Sequence, residues 1–278
     1  MPQSNHHHAP ERVEHRFRNL KVWFTVGSYT VLAPFGLVIF AFLCLVWRGN
    51  MTARARRLQR VTVIAYRFMH HWLRWTGITH FDHRWPVEGI PDEPCVVIAN
   101  HPTLMDITSI TAVMGAGCTI VKPEMYRRRL LHPLLVGAGH IQGPGSDLIS
   151  IGSVVEAASD RLSRGFPLIV FPEGTRSRDG KLLPFGRIAF EIACRAEVPI
   201  VSLTIECEPV YLSKEVPLFS PPWSTPQFKV GLLAVDDPAT ANNDSRELRR
   251  KIESRYQAWS DRAKNQEAAP TPRPTSKQ

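Results

Sequence analysis

The pattern of apolar and polar residues divides the chain into an apolar front end and an alternating body. The run Val22–Trp47 contains no charged residue and exceeds the roughly 20 apolar residues that a membrane-crossing helix needs. Trp23 stands near its start and Trp47 ends it, where amphipathic rings favour the headgroup region. Pro34 and Gly36 lie near the middle, so a segment that dips into one leaflet is an equally good prediction.

A second segment, residues 54–78, mixes arginines with apolar side chains that recur at three- and four-residue steps, such as Val61, Ile64 and Phe68. This spacing predicts an amphipathic helix that lies on a membrane or packs on the apolar run. Its basic residues suit anionic lipid. A surface helix of a soluble protein gives the same pattern and stays an alternative.

After Pro86, short β-branched runs alternate with helical patterns, which predicts an α/β fold with a largely parallel sheet flanked by helices. The predicted strands are Cys95–Ala99, Cys118–Val121, Pro167–Phe171, Pro199–Ile205 and Phe228–Val235. The predicted helices are Pro102–Met114, Met125–Val136, Asp147–Ser163, Gly186–Arg195 and a final one from Asp244 to about Arg262. In open parallel sheets, ligands bind beyond the carboxyl ends of the strands.

These elements predict four parts of the chain. Residues 1–21 form a polar tail, residues 22–80 a membrane-embedded helical anchor with its amphipathic helix, residues 81–263 an α/β domain and residues 264–278 a disordered tail. His6, His7 and His8 in the first tail could bind a metal, although a solvated tail explains them as well.

The formal net charge of +9 and the sequence pI of about 9.6 favour an anionic partner, such as a membrane surface, a nucleic acid or a phosphorylated substrate. No nucleic-acid-binding motif accompanies the charge, so we expect no nucleic-acid partner. The five cysteines show no paired spacing, which predicts free thiols in a reducing compartment and no metal site.

Two polar clusters follow predicted strands. The first cluster is Asn100–Asp106. If the Asp106 carboxylate held one ring nitrogen of His101, the other nitrogen would be free to take a proton from a hydroxyl. A capping loop with solvated side chains is the alternative, because this spacing is common by chance. In Phe171–Ser177, Arg176 suits a phosphate, and a backbone N–H near Gly174 could stabilise an oxyanion. Here the alternative is a turn with a surface salt bridge.

The two clusters together are a more specific signal of function than either cluster alone. An apolar strand ending in Asn-His-x-x-x-x-Asp, then Phe-Pro-Glu-Gly-Thr-Arg-Ser and later Val198–Val201, resembles the glycerophospholipid acyltransferase family, which includes the 1-acylglycerol-3-phosphate acyltransferases. The resemblance implies that His101 is a general base oriented by Asp106. It also implies a set of substrate-binding residues: Glu173, Gly174, Thr175, Arg176 and Lys122.

The resemblance further implies a membrane-lipid acceptor such as 1-acylglycerol-3-phosphate, acyl-CoA or acyl-carrier protein as donor, and no cofactor. It places the protein at a membrane, which we expect to be the bacterial inner membrane with the catalytic domain facing the cytoplasm. Family members commonly carry an arginine where this chain has Gly139–Gly145, and Arg127, Arg128 and Arg129 are candidates to replace it.

Because of that departure, several alternatives stay open. The acceptor could be a lipid without glycerophosphate or a specialised metabolite, and with water as acceptor the protein would be a lipid or thioester hydrolase. If His101 and Asp106 lay apart, a noncatalytic lipid-binding protein would be the better interpretation. We expect His140 to have a structural role.

Overall fold

The computed structural model of the chain describes residues 9–47, 49–82, 89–145, 148–177, 181–216, 218–222 and 224–268. The histidines at positions 6 to 8 and most of the predicted C-terminal tail lie outside these residues. The helices are α1 (Ala9–Val46), α2 (Met51–Trp75), α3 (Asp106–Met114), α4 (Pro123–Tyr126), α5 (His132–Gly137), α6 (Leu148–Ser163), α7 (Ile188–Ala196) and α8 (Ser245–Ala268). The strands are β1 (His80–Phe81), β2 (Val96–Ala99), β3 (Cys118–Val121), β4 (Ile141–Gln142), β5 (Leu168–Val170), β6 (Ile200–Glu208) and β7 (Gln227–Asp236).

Within the described residues, these strands form one sheet of seven in the order β1-β7-β6-β2-β5-β3-β4. All neighbouring strands are parallel except β6 and β7, which are antiparallel. The predicted α/β class with a largely parallel sheet is therefore confirmed. Strand β2 lies centrally, with β6 on one side and β5 on the other.

Alternate residues of β2 enter two different apolar clusters. Val96 and Ile98 pack with residues of α6, α7 and α8, whereas Val97 and Ala99 pack with Ile110 of α3 and with the neighbouring strands. This two-residue alternation is the normal consequence of the β-strand pleat. Both faces of the sheet are covered, as the continuous apolar sequence of β2 predicts for a parallel sheet.

Several element boundaries differ from the predictions. Helix α3 begins at Asp106 and not at Pro102, because residues 102–105 form a turn that donates hydrogen bonds to the Asp106 carboxylate. The helix predicted over Met125–Val136 is two short helices, and Pro133 stands in the first turn of the second one, where its missing N–H costs nothing. The two-residue strands β1 and β4 are too short to show periodicity, so no sequence pattern predicted them.

The apolar front end forms one long helix. Helix α1 has 38 residues and continues through Pro34, so it begins within the stretch predicted as a polar tail. Its segment Arg18–Val46 is long and apolar enough to cross a membrane. Helix α2 is the predicted amphipathic helix, and Asn50 caps its start by accepting a hydrogen bond from the Thr52 amide at 2.9 Å.

Both ends of the apolar part of α1 touch the rest of the protein. Near its start, Val22 is buried in a cluster with Met105 and Tyr211. Near its end, Cys44 lies against α5, since a Cβ placed on Gly137 would be 3.1 Å from the Cys44 sulfur. The helix therefore lies along one side of the α/β domain, and its outer face exposes large apolar side chains: Phe24, Val31, Phe35, Val38, Phe42 and Leu45.

Candidate active site

Three neighbouring parallel strands bring the predicted site residues to one edge of the sheet. Strands β2, β5 and β3 are adjacent, and their carboxyl ends lead into His101, Glu173 and Lys122 respectively. Because the strands are parallel, their carboxyl ends meet at the same edge. The fold thus assembles side chains that are up to 72 positions apart in the chain.

His101 and Asp106 form a close pair. The Nδ1 atom of His101 lies 2.7 Å from Asp106 Oδ2. Since a carboxylate can only accept, Nδ1 carries the proton and Nε2 is left as a base. This distance removes the alternative of a noncatalytic protein in which the two side chains lie apart.

Thr103 holds the carboxylate from a second side. Its backbone N–H donates to Asp106 Oδ2 at 2.8 Å, and its hydroxyl donates to Oδ1. Asp106 is fully buried, and burial raises its pKa, while the hydrogen bonds from His101 and Thr103 act in the opposite direction. The three donors therefore stabilise a buried negative charge next to the imidazole. Thr103-x-x-Asp106 has the Ser/Thr-x-x-Asp/Glu spacing of a capping box, and this spacing is the sequence signal for the role of Thr103.

The imidazole is also held by packing. The ring of Phe171 stacks on the His101 ring with 4.1 Å between centroids. Asn100, directly before the histidine, exchanges two hydrogen bonds with the backbone of Ile205 on β6, at 2.9 and 2.7 Å. The His101 carbonyl accepts from the Ser177 amide at 2.8 Å. Both Asn100 and Phe171 stand inside the two sequence clusters, but their contacts are long-range and no spacing shows them.

Both carboxylate oxygens of Glu173, for which the resemblance implies acceptor binding, accept hydrogen bonds from backbone N–H groups. Its Oε1 accepts from the His101 backbone N–H and its Oε2 from the Leu183 backbone N–H, each at 2.8 Å. The residue is buried, and burial raises its pKa against the effect of these two donors. Both oxygens are engaged by the protein itself, so the described contacts make Glu173 a brace behind His101.

The next three residues of the second cluster face outward more. Gly174 has a φ of 66°, which favours glycine, and its N–H donates to the Phe171 carbonyl at 3.0 Å. That amide is therefore already used, and an oxyanion donor must be another group. The Thr175 hydroxyl accepts from Lys214 Nζ at 2.9 Å, and Arg176 Nη1 donates to the Leu212 carbonyl at 3.3 Å.

A loop that the sequence analysis did not single out covers this side of the site. In residues 209–216, the Leu212 carbonyl accepts from the Leu104 amide at 2.9 Å as well as from Arg176. Leu212 has a φ of 58°, and its side chain is buried beside Met105 and Val22 of α1. The loop therefore connects the His101–Asp106 turn, Arg176 and the apolar helix.

A cleft of about 570 Å³ opens beside the pair, within the range of small-molecule sites. His101, Lys122, Gly174 and Arg176 contribute to its wall, so four of the predicted site residues share one cavity. Most of the wall is apolar, from Leu104, Ile107, Ile120, Val121, Met125, Val170, Phe171, Ile188 and Ala189. A few polar groups in the wall of a mostly apolar cleft suit an amphiphile.

His140 lies away from this chemistry. Its Nδ1 accepts from the Thr119 amide at 3.1 Å, and desolvation by burial lowers the pKa of its imidazole to about 4. The ring is therefore neutral at ordinary pH and satisfies a strand amide, which confirms the predicted structural role. The five cysteines are free thiols.

The comparisons with known proteins agree with one another, because each of them finds acyltransferases. The acyltransferase family model matches residues 80–206. A 1-acyl-sn-glycerol-3-phosphate acyltransferase alpha from Mus musculus is 32% identical over 167 residues, covering 55% of this chain and 56% of that protein. The Homo sapiens protein of the same name is 34% identical over 134 residues, which are 45% of each chain. This chain thus spans about half the length of the curated relatives that it matches.

The fold has a solved counterpart. The crystal structure of the 1-acyl-sn-glycerophosphate (LPA) acyltransferase PlsC from Thermotoga maritima superposes with a TM-score of 0.66. The match covers 91% of this chain and 98% of that one at 23% sequence identity. At that identity the likeness establishes the fold, and no residue role is taken from it.

Proposed function

We propose that the domain matched by the acyltransferase family model, residues 80–206, transfers an acyl chain from a thioester to the hydroxyl of a lysophospholipid such as 1-acylglycerol-3-phosphate. The observation that carries the proposal is the 2.7 Å hydrogen bond between His101 Nδ1 and the buried Asp106 carboxylate. It leaves Nε2 of a partly exposed imidazole at the wall of an apolar cleft.

The proposed reaction is a direct transfer. His101 Nε2 takes the proton of the acceptor hydroxyl as its oxygen attacks the thioester carbonyl, and Asp106 stabilises the imidazolium that forms. When the tetrahedral intermediate collapses, the carbon–sulfur bond breaks and the thiolate takes the proton back from His101. The products are an ester and a free thiol, and His101 returns to its neutral form.

The proposed substrates match the apolar part and the cationic part of the cleft wall. Its long apolar wall suits an acyl chain, while Lys122 and Arg176 supply cationic groups for the phosphate of a lysophosphatidate. The Arg176 guanidinium is held toward the site by the Leu212 carbonyl. We propose acyl-CoA or acyl-carrier protein as the donor, which is consumed as a co-substrate without a further cofactor.

The front end supports action at a membrane. Helix α1 presents an exposed apolar face, yet Val22 near its start and Cys44 near its end both contact the α/β domain. A helix perpendicular to the bilayer would have to carry those contacts through the hydrocarbon. We therefore propose that α1 lies along one leaflet, on the cytoplasmic side of a bacterial inner membrane where acyl thioesters are made.

The test is an acceptor panel. The purified full chain in lipid vesicles is supplied with an acyl-CoA or an acyl-carrier-protein thioester and with lysophosphatidate, lysophosphatidylcholine or no acceptor. Free thiol and lipid product are both measured, the product by mass spectrometry. The proposal predicts phosphatidate and matched thiol release with lysophosphatidate.

Two results would contradict it. Equal thiol release with and without any acceptor would make the protein a hydrolase. Acylation of lysophosphatidylcholine in preference to lysophosphatidate would show that Lys122 and Arg176 do not select a phosphate monoester.

A further inference from the structure

A basic segment stands at the rim of the cleft. Arg127, Arg128 and Arg129 lie between α4 and α5, and all three side chains are exposed. They are flanked by apolar side chains that are also exposed, Met125 at 48% and Leu130 at 72%. Residues 125–130 are called the basic ridge below.

The ridge is an ordered turn. The Arg128 carbonyl accepts from the amides of Leu131 at 2.9 Å and His132 at 2.8 Å. The His132 ring packs edge-on against Tyr126, with 5.3 Å between centroids, and its Nδ1 lies 3.1 Å from the Tyr126 carbonyl. These contacts fix the backbone that presents the three arginines.

Within the described part of the chain, the charges of the ridge are not neutralised by ion pairs. Among the described residues, ion pairs with carboxylates occupy five arginines, which are Arg161, Arg164, Arg187, Arg249 and Arg255. None of the ion pairs found in that part of the chain involves the three arginines of the ridge. Their guanidinium groups therefore present positive charge to whatever lies outside.

The ridge is joined through helix α5 to the apolar helix of the front end. Helix α5, which follows the ridge directly, packs on α1 where Gly137 meets Cys44. Close to that contact, α1 exposes Phe42 and Leu45 at 61% and 65%. Basic residues flanked by exposed apolar ones near an apolar helix are the composition of a membrane-surface contact.

The same segment borders the reaction site. Met125 and the neighbouring Lys122 contribute to the wall of the cleft that contains His101. Leu104, exposed at 59%, lines the same cleft from the His101–Asp106 turn. Any surface on which the ridge docks would therefore also contact the edge of the cleft.

We propose that the basic ridge docks on the anionic headgroups of the bilayer, with Leu130 inserted among the lipids, so that the cleft opens against the membrane. The acceptor lipid then enters sideways from the leaflet without crossing water. The entry of the acceptor rests on the proposed function, whereas the docking does not. An acidic carrier protein would match the charges alone, but the exposed Leu130 and the connection through α5 to α1 favour lipid.

The first experiment locates Leu130 relative to the bilayer. Full-length Leu130→Cys carries an environment-sensitive fluorophore in vesicles of phosphatidylcholine with or without phosphatidylglycerol, and lipids with a nitroxide on the chain act as quenchers. Glu247→Cys, at an exposed position on α8, is the matched control, and labelled unmutated chain gives the background of native thiols. We expect blue-shifted, quenched emission at position 130 only, and stronger quenching with phosphatidylglycerol.

The second experiment removes the charges. The triple variant Arg127→Gln, Arg128→Gln and Arg129→Gln should lose the gain from phosphatidylglycerol, because each basic residue near an anionic surface strengthens binding roughly fivefold. The control removes three exposed arginines of α8, with Arg246→Gln, Arg250→Gln and Arg262→Gln, and should keep that gain. Equal losses in both triple variants would indicate general charge attraction and overturn the proposal.

The outcomes separate this proposal from the proposed function. A water-exposed probe at position 130 in a chain that makes phosphatidate overturns the docking alone. A buried probe in a chain that transfers no acyl group overturns the proposed function alone. If the ridge variant in detergent loses transfer from an acyl-carrier-protein donor but not from acyl-CoA, the ridge binds the donor protein and the lipid proposal is wrong.

Discussion

Two turns follow neighbouring strands of the sheet and hold a polar side chain in opposite ways. After β2, the His101 side chain is 20% exposed at the cleft, and a buried carboxylate holds it from behind. After β5, Glu173 points inward and accepts the backbone N–H groups of His101 and Leu183. Positions just beyond the carboxyl ends of two parallel strands thus give one partly exposed imidazole, which is the proposed base, and one buried brace. The direction of the hydrogen bonds decides which.

Substitution of Asp106 is expected to have the largest effect on the difference between the two turns. Asp106→Asn keeps the shape but offers His101 Nδ1 an amide, so the tautomer with a bare Nε2 loses its partner. We expect kcat to fall by roughly 10³-fold or more, with thermal stability in detergent changed far less. An activity within threefold of wild type would show that the carboxylate does not orient a base.

A third polar group, His140, takes no part in the proposed chemistry, but its contribution to stability depends on pH. Its pKa of about 4 in the folded protein lies below the ordinary value of about 6.5, so the unfolded chain binds more protons between these values. Its contribution to stability is complete above pH 6.5 and is lost as the pH falls toward 4. The loss amounts to about 3 kcal/mol.

The measurement compares wild type with His140→Asn, which has no imidazole to protonate. The free energy of unfolding in detergent is followed from pH 7 to pH 4 in both proteins. We expect the stability advantage of the wild type to shrink by about 3 kcal/mol over that range. An advantage that stays constant with pH would show that the ring is not desolvated.

The brace at Glu173 is expected to give the smallest effect. In Glu173→Gln, the new amide group faces one of the two backbone N–H donors, which is left without an acceptor at a cost of about 2 kcal/mol in unfolding free energy. Transfer should fall together with stability, since His101 loses its support. Glu206→Gln, at an exposed position of β6, is the control and should change stability little.

The same variant can break the comparison. If Glu173→Gln were as stable as wild type but had a raised KM for the lipid acceptor alone, Glu173 would contact the acceptor. The role implied by the sequence resemblance would then hold, and the two turns would share one function.

The sequence predicted those parts of the site that depend on local order. Short β-branched apolar runs indicated the central strands, and the placement of His101 and Asp106 across a strand-to-helix turn indicated that they could meet. What it could not show depends on partners far away in the chain. The Leu212 carbonyl accepts a hydrogen bond from the Leu104 amide, which lies more than a hundred residues earlier in the chain. Glu173 accepts hydrogen bonds from two backbone N–H groups, and backbone groups carry no residue-specific signal in a sequence.

The predicted helix boundaries were wrong for related reasons. The Pro102–Met105 turn was predicted to be helical, but its amides donate elsewhere: Thr103 to the Asp106 carboxylate, Leu104 to the Leu212 carbonyl and Met105 to the Thr103 hydroxyl. The apolar run showed where a membrane helix can lie, whereas its packing along the domain depends on Val22 and Cys44 meeting distant residues. Local patterns contain no information about such contacts.

The central claim is that the His101 imidazole activates the acceptor hydroxyl, and one comparison tests it most directly. Wild type and His101→Ala are placed in identical vesicles with acyl thioester and lysophosphatidate, and phosphatidate and free thiol are followed together while circular dichroism and vesicle flotation check fold and attachment. The account predicts a folded, membrane-bound His101→Ala protein whose transfer is at least 10²-fold slower. Transfer at the wild-type rate by that variant would contradict the account.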